Sequence, residues 1–406
     1  MGFTDQGGPD LLAKLGWWRD GQVRDDATDA LWALSRAPDP DLALRTLARL
    51  ADAAGAGWSE LDAALCRDPG LRGRLFGVLG SSTALGDHLV AKPQRWRGLA
   101  GDEPTRKGWA GRAVGRMLDV VGADPAAAAP GFPQGTRATL TGREAQRALR
   151  GAYRDLIVEL AAADLAAVVE PDLPVVPYEQ VAGALAELAG GALRAALAVA
   201  ITEVVGPDDV PPRLAVIGMG KCGGQELNYV SDVDVIFVGD TEEELPAATK
   251  LASATMRLAS AACFEVDAAL RPEGKAGALV RTLDGHRSYY QRWAKTWEFQ
   301  ALLKARPVAG DTELGQRYVD AVAPLVWSAA DRENFVTEVQ SMRRRVAAHV
   351  PAELVDRELK LGHGSLRDVE FAVQLLQLVH GRSDESIRQA ATLPALAALA
   401  AGGYVG

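Results

Sequence analysis

Cysteine, positive charge and long unbroken apolar runs are scarce in this chain, and each shortage excludes something. Its 406 residues hold three cysteines, Cys66, Cys222 and Cys263, with no C-x-x-C pair. They supply neither a disulfide framework nor a zinc site, and they suit a reducing compartment. Lys and Arg number 44 against 53 Asp and Glu, a formal net charge of −9, and no basic run stands out. A nucleic-acid partner is therefore disfavoured, although one local basic cluster or a metal ion would still let an acidic protein bind a nucleotide. No apolar run approaches the length of a membrane span, because charges or prolines break the alanine-rich stretches. The opening residues, MGFTDQGGPDLL, lack the basic and apolar regions of a signal peptide. No membrane partner is expected, and the expected location is the cytoplasm. A fixed-period repeat is missing too, which sets solenoids aside.

The length implies two or three domains with room for a proper core. Residues 1–28 are rich in glycine and aspartate and are expected to be poorly ordered at their start. Helical pattern follows. In APDPDLALRTLARLADAAG, Asp39 can cap, Pro40 suits a first turn, and leucines recur at helical spacing until Gly55. DPAAAAPGFPQGT (124–136) has no period and reads as a linker. Two long helices come next, REAQRALRGAYRDLIVELAAADLAAVV and YEQVAGALAELAGGALRAALAVAITEVV. Strand pattern appears only at RLAVIG, VDVIFV and CFEVDAAL, and from His286 onward the pattern is helical again. SLRDVEFAVQLLQLVHG is its clearest case, with Ser365 as cap, Asp368 three residues later and Gly381 as stop. LPALAALAAGGYVG ends without a stop signal, so the chain is expected to be a piece of something longer.

RLAVIGMGKCGGQELNYVSDVDVIFVGD, Arg213 to Asp240, poses the main question. Gly218-x-Gly220-x-x-Gly223 follows one apolar strand and Asp240 closes a second, which matches the dinucleotide-binding fingerprint. A Rossmann unit, however, needs parallel strands joined by a crossover of about a dozen residues or more. Only QELNYVSD separates the glycines from the second strand, which leaves no space for that helix. A P-loop fails as well, because Ala215 stands where glycine is required and Cys222 where a hydroxyl is required.

Asp232 and Asp234 are expected within the second strand, on one face, while Val233, Val235 and Phe237 take the other. Two like charges side by side are unfavourable, and Asp is a poor strand former. In FEVDAALRPEG, Glu265 and Asp267 alternate with Phe264, Val266 and Ala268, giving a third strand with an acidic face. Asp232, Asp234 and Asp267 on neighbouring strands would make a three-carboxylate cup suited to Mg²⁺, a hard ion that takes few carboxylates and completes its shell with substrate phosphates. Shared ions would stabilise an in-line phosphoryl displacement. Gly223 and Gly224 would then let the backbone and its N–H groups approach a phosphate. Ser231 would add a hydroxyl, and Lys221 or Arg271 a positive charge. Glu265 reads as a solvated neighbour. In RWAKTWEFQALLKAR, Trp293, Trp297 and Ala301 fall on one helical stripe that reads as core, while Glu298, Lys304 and Arg306 are candidates to line a nucleotide or phosphate pocket.

This order of elements resembles the nucleotidyltransferase fold of the DNA polymerase β superfamily. GMGKCGGQELNYVSDVDVIF, FEVDAALRPEGKAGALV, YYQRWAKTWEFQALLKARPVAGD and LKLGHGSLRDVEFAVQLLQLVHG are similar in wording to the glutamine synthetase adenylyltransferase family, most strongly from Arg213 to Gly381. Upstream, LWALSRAPDPDLALRTL and GRLFGVLGSSTALGDHLVAKP resemble the N-terminal helical region of actinobacterial-type members. The resemblance implies an α+β, mostly helical fold: a helical region over 1–145, a nucleotidyltransferase core with a small mixed sheet over 146–285, and a helical segment over 286–406. It also implies a bifunctional enzyme that attaches AMP from ATP to a tyrosine of glutamine synthetase and removes it with phosphate, releasing ADP. The family has two similar halves, of which the N-terminal one removes AMP. Asn228 resembles the removing half, whereas WEFQALLKARPVAGD is also close to the adenylylating half. The implied function is adenylyl removal. Adenylyl transfer from ATP, or a non-catalytic module that binds glutamine synthetase or a PII-type protein, stand as alternatives. Carried over onto matching positions, Asp232, Asp234 and Asp267 are the metal-binding catalytic acids, and Gly223 and Gly224 the phosphate-approach glycines. Mg²⁺, with Mn²⁺ as the alternative ion, is the implied cofactor. Glutamine synthetase, ADP or ATP, phosphate and a PII-type signalling protein are the implied partners. His363 reads as a loop residue without a role.

Overall fold

The computed structural model describes residues 4, 7–101, 108–124, 136–348, 350–354 and 357–405. The linker expected over 124–136 lies, apart from its two end residues, outside them. The chain forms two compact units, one of residues 1–113 with 151–184 and one of residues 114–150 with 185–406. The threefold division at 145 and 285 follows changes in sequence pattern, whereas these units follow contacts.

The first unit is built from helices. They are α1 (Gly8–Lys14), α2 (Thr28–Ser35), α3 (Pro40–Ala54), α4 (Trp58–Arg67), α5 (Pro69–Ser81) and α6 (Thr83–Ala91), with a small hairpin of β1 (Trp18–Arg19) and β2 (Gln22–Val23) after α1. Three of the helices start in the same way. Asp39, Asp68 and Ser82 sit in extended conformation and accept from the N–H groups of Leu42, Leu71 and Leu85, satisfying donors that the first turn leaves open. Leu44, Leu47, Leu61, Leu75 and Phe76 fill the core between them. The start of the opening region, where poor order is expected, lies outside the described residues apart from Thr4; from Gly7 onward the chain forms α1 and the hairpin, and Trp17 is fully buried. Burying so large an apolar ring outweighs the local glycine content.

Three helices carry residues of both units: α7 (Trp109–Asp119), α8 (Gly142–Val169) and α9 (Tyr178–Val204). For α9 the expectation about apolar runs needs correcting. It is long and apolar enough to cross a membrane by length and composition, and 83% of its apolar window is buried within the fold. A core helix surrounded by protein has that same composition.

The second unit centres on a five-stranded mixed sheet. Its elements are β3 (Leu214–Gly218), the single turn α10 (Gly220–Gly223), β4 (Val233–Gly239), α11 (Leu245–Ala262), β5 (Val266–Asp267), β6 (Val280–Thr282), α12 (Leu283–Arg292), α13 (Thr296–Leu302) and β7 (Arg306–Gly310). Helices α14 (Thr312–Trp327), α15 (Phe335–Ala347), α16 (Leu366–His380) and α17 (Thr392–Ala401) follow. β3 runs antiparallel to β4 and to β7, whereas β4 pairs in parallel with β5 and β6. The short β3–β4 connection thus gives an antiparallel pair, and the Rossmann reading is excluded. α11 is the crossover that parallel pairing requires. On one face of the sheet Ala215, Ile217, Ile236 and Val238 pack against Tyr290 of α12, Phe299 of α13, Leu314 and Tyr318 of α14, Phe335 of α15 and Leu378 of α16.

Two expectations about the later helices also change. The tryptophan stripe does not exist: α12 ends at Arg292 and α13 begins at Thr296, leaving Trp293 74% exposed and Trp297 half-buried. The Glu298 carboxylate accepts from Lys295 N–H at 2.8 Å and so restarts the helix. Ser365 occupies the cap position of α16, but its hydroxyl donates to the Lys360 carbonyl (2.8 Å), and Asp368 reaches back to the Gly364 N–H (2.6 Å).

Candidate metal centre

β4 carries two kinds of residue on one face. Ile236 and Val238 lie in the core, and two residues nearer the start of the strand the same face carries Asp234. In the parallel pairing Asp234 stands opposite Asp267 of β5. Asp232 precedes the strand instead of lying in it, because the ladder begins where Val233 N–H donates to the Glu265 carbonyl (2.9 Å). β5 is correspondingly only two residues long. One carboxylate oxygen from each of Asp232, Asp234 and Asp267 lies within 4.8 Å of the other two. The expected cup is therefore present in the geometry.

The cup is electrostatically costly by itself. At this separation each pair of full charges repels by about 3 kcal/mol for an effective dielectric constant of ~20. Burial, with the charges of Asp232 and Asp267, pushes the Asp234 carboxyl up to about 6. Few hydrogen bonds offset this: Asp267 accepts from Ala269 N–H at 2.7 Å, and Ser231 reaches Asp232 only at 3.5 Å. Among the described residues none of the three acids takes part in a salt bridge. Lys221, whose charge favours the ionised Asp234, gives its ammonium to the Asn228 side-chain oxygen instead (2.8 Å), and burial together with Lys360 pushes its pKa down. Three hard oxygen donors converging without an ion pair fit a divalent cation of the Mg²⁺ class.

The turn between β3 and β4 is shaped around these acids. Gly220 has φ of +51°, and a Cβ there would lie 2.7 Å from an Asp234 carboxylate oxygen. No other residue combines that backbone conformation with that approach. Gly223 serves packing, since a Cβ on it would lie 1.9 Å from the Lys304 carbonyl. The N–H groups of Gly223 and Gly224 already donate to the Met219 and Gly220 carbonyls (2.9 and 3.0 Å). Both glycines are buried, so the geometry gives them the job of holding the turn closed against its neighbours.

The other expected site residues separate into groups. Arg306 donates to the Gly223 and Cys222 carbonyls (3.2 and 3.0 Å) and pairs with Glu187 (2.7 Å), so it braces the glycine turn. Arg271 donates to the carbonyls of Ala268, Lys275 and Gly277 and closes its own loop; the structure gives it no ion pair with Asp267. Lys304 is 4% exposed and bonds Glu226 and Glu370, so its ammonium is committed to a buried bridge. Glu298 is buried and bonds Tyr289. His363 is exposed. Sequence reasoning missed Glu226, Glu370, Lys360, Arg367 and the role of Gly220. For Glu226 the available signal is an acid directly after the glycine turn, but nothing local identifies Lys304 as its partner.

Residues 134–321 match the family model described as glutamate-ammonia ligase adenylyltransferase, and residues 334–406 match the one described as GlnD PII-uridylyltransferase. The curated relatives include bifunctional glutamine synthetase adenylyltransferase/adenylyl-removing enzymes of Nocardia farcinica (58% identical), Mycobacterium avium (57%) and Mycobacterium leprae (54%). Each alignment takes in 100% of this chain and 38–39% of the relative, so the chain spans about two fifths of the length of the relatives it matches. With this identity along its whole length, the chain belongs to the bifunctional glutamine synthetase adenylyltransferase/adenylyl-removing enzyme family and corresponds to the N-terminal part of its members.

Proposed function

We propose that this chain removes AMP from glutamine synthetase: inorganic phosphate displaces the tyrosyl oxygen from the adenylyl phosphorus, giving ADP and the free tyrosine. One observation carries the reading, the convergence of Asp232, Asp234 and Asp267 with no salt-bridge partner among the described residues. Correspondence to the N-terminal part of the relatives favours removal over attachment. So does Asn228, the residue that resembles the removing half and that here holds the Lys221 ammonium.

In this reaction an oxygen of hydrogenphosphate forms a bond to the adenylyl phosphorus and the bond from that phosphorus to the tyrosyl oxygen breaks. The proton of the hydrogenphosphate ends on the departing tyrosyl oxygen, and charge balances between reactants and products. Asp232, Asp234 and Asp267 are the residues that would hold Mg²⁺ or Mn²⁺. Such an ion supplies a Lewis acid for the phosphoryl oxygens, where charge builds up in the transition state. Lys221, beside the cup, supplies a positive charge to the same oxygens. Arg306 and Arg271 act at a distance, by keeping the glycine turn and the loop after Asp267 in place.

The test is to incubate the chain with adenylylated glutamine synthetase, phosphate and Mg²⁺ and to measure ADP. ADP formation dependent on all three is the expected result. A parallel incubation of unmodified glutamine synthetase with ATP addresses the opposite direction, and AMP transfer there without ADP formation in the first mixture would overturn the proposal.

A further inference from the structure

Cations from late in the chain are tied to the turn beside the carboxylate cup. Arg367, in the first turn of α16, is held by Glu370 (2.6 Å), whose other oxygen accepts from the Lys304 ammonium (2.8 Å). Lys304 also bonds the Glu226 carboxylate and the Thr392 hydroxyl, and Thr392 N–H donates to Glu226 (2.7 Å). Glu226 in turn donates its N–H to the Lys221 carbonyl (2.9 Å). A continuous bridge thus runs from Arg367 through Glu370, Lys304 and Glu226 to the residue beside the cup. Lys360 belongs to the same assembly, because its carbonyl accepts from Arg367 N–H (3.0 Å) and from the Ser365 hydroxyl (2.8 Å).

These cations do not neutralise the acids by contact. Among the described residues no salt bridge joins Lys221, Lys360 or Arg367 to Asp232, Asp234 or Asp267, yet the two sets act on each other through space. Arg367 favours the charged Asp234, and Lys360 disfavours the charged Lys221. Acids and cations within electrostatic reach of one another, yet without an ion pair between them, suit a ligand that carries both signs. A divalent cation bound to a phosphate is such a ligand: the metal faces the acids and the phosphate oxygens face the cations. Of the five N–H donors on the Arg367 guanidinium, the structure commits one, to Glu370.

We propose that Lys360 and Arg367 form the anion-holding wall of the catalytic site, taking phosphoryl oxygens opposite the carboxylates, and that the buried Lys304 bridge positions this wall. The inference rests on the proposed function, since it names further residues of that same site. Lys304, expected to touch phosphate itself, becomes a positioning residue that acts through Glu370.

The test measures Mg-ADP affinity and Mn²⁺ affinity by calorimetric titration, and the Michaelis constant for inorganic phosphate, in folded protein. The exposed Lys360 makes Lys360→Ala safe for folding, and Arg367→Gln and Arg367→Lys accompany it. Lys360→Ala and Arg367→Gln should each weaken Mg-ADP binding by about tenfold, with Mn²⁺ affinity unchanged and Arg367→Lys intermediate. A raised Michaelis constant for phosphate with normal Mg-ADP binding would place the wall on the attacking phosphate instead of the nucleotide, still within the proposal. Lys304→Met should reproduce the Arg367→Gln defect and Lys304→Arg should relieve it, a rescue that simple loss of packing would not give. Suppose the wild type binds Mg-ADP, Asp234→Asn abolishes that binding, and Lys360→Ala and Arg367→Gln match the wild type in both nucleotide and phosphate: the wall alone is then wrong. If the wild type binds no Mg-ADP, the functional reading falls and the wall falls with it.

Discussion

β4 has acids at both ends, and the fold treats them in opposite ways. At its far end Arg213 reaches Asp311 (2.6 Å), Asp240 (3.0 Å) and Glu313 (3.4 Å), and Arg317 adds a second contact to Asp240 (3.4 Å). Asp311 also caps α14 through Leu314 N–H (2.9 Å). Every carboxylate there has an arginine, and the cluster ties β4, β7 and α14 together. At the near end Asp232, Asp234 and Asp267 approach one another without such a partner. The chain can neutralise acids beside this very strand, so leaving three of them without an ion pair is the feature on which the proposed ion site rests. Asp240, the acid that completed the dinucleotide-binding fingerprint, belongs to the structural end.

The largest expected effect falls on the near cluster. Asp232→Asn or Asp234→Asn should lower ADP formation by roughly a thousandfold, the scale of several kcal/mol of lost charge stabilisation, while circular dichroism stays as in the wild type. Normal turnover in both variants would erase the distinction between the two ends. Next in size is Asp311→Ala, which removes a helix cap and the buried partner of Arg213. It should cost about 2 kcal/mol in denaturant unfolding and leave Mn²⁺ affinity unchanged. Loss of metal binding in that variant would mean that the ends are not independent.

A smaller effect concerns pH in the metal-free protein. The folded Asp234 carboxyl titrates near 6 against an ordinary 3.8, so between about pH 4 and 6 the folded state holds more proton than the unfolded one. Stability therefore falls as pH rises through that window. Asp234→Asn should raise the melting temperature at pH 7, and the gain should fade as the pH is lowered through 6 and vanish below about 4. A gain that persists at pH 3 would show that repulsion is not its source. Smallest of all, Ser231→Ala should change ADP formation by no more than about threefold, since its hydroxyl reaches Asp232 at the limit of hydrogen bonding and a bond that long contributes well under 1 kcal/mol.

Much of this was legible in the sequence where the physics is local. Asp39, Pro40 and Gly55 marked the ends of α3 because capping needs only neighbouring residues. The shortness of QELNYVSD dictated an antiparallel β3–β4 pair, and alternation along a strand placed Asp234 and Asp267 on acidic faces. What was not legible depends on partners far away in the chain. Gly223 announced a close approach, but only the fold shows that the Lys304 carbonyl is what approaches. Lys304 looked like a free cation beside a pocket until Glu226 and Glu370 were brought to it from opposite sides of the sequence. Trp293 looked like core because a three-residue break between α12 and α13 leaves no strong trace in helical periodicity.

Calorimetric titration of the metal-free chain with Mn²⁺, beside Asp234→Asn and Asp311→Ala, tests the central contrast most directly. Saturable binding in the wild type and in Asp311→Ala, lost in Asp234→Asn, is the predicted result. Wild type and Asp234→Asn taking up the ion equally well, or neither variant nor wild type taking it up at all, would contradict it.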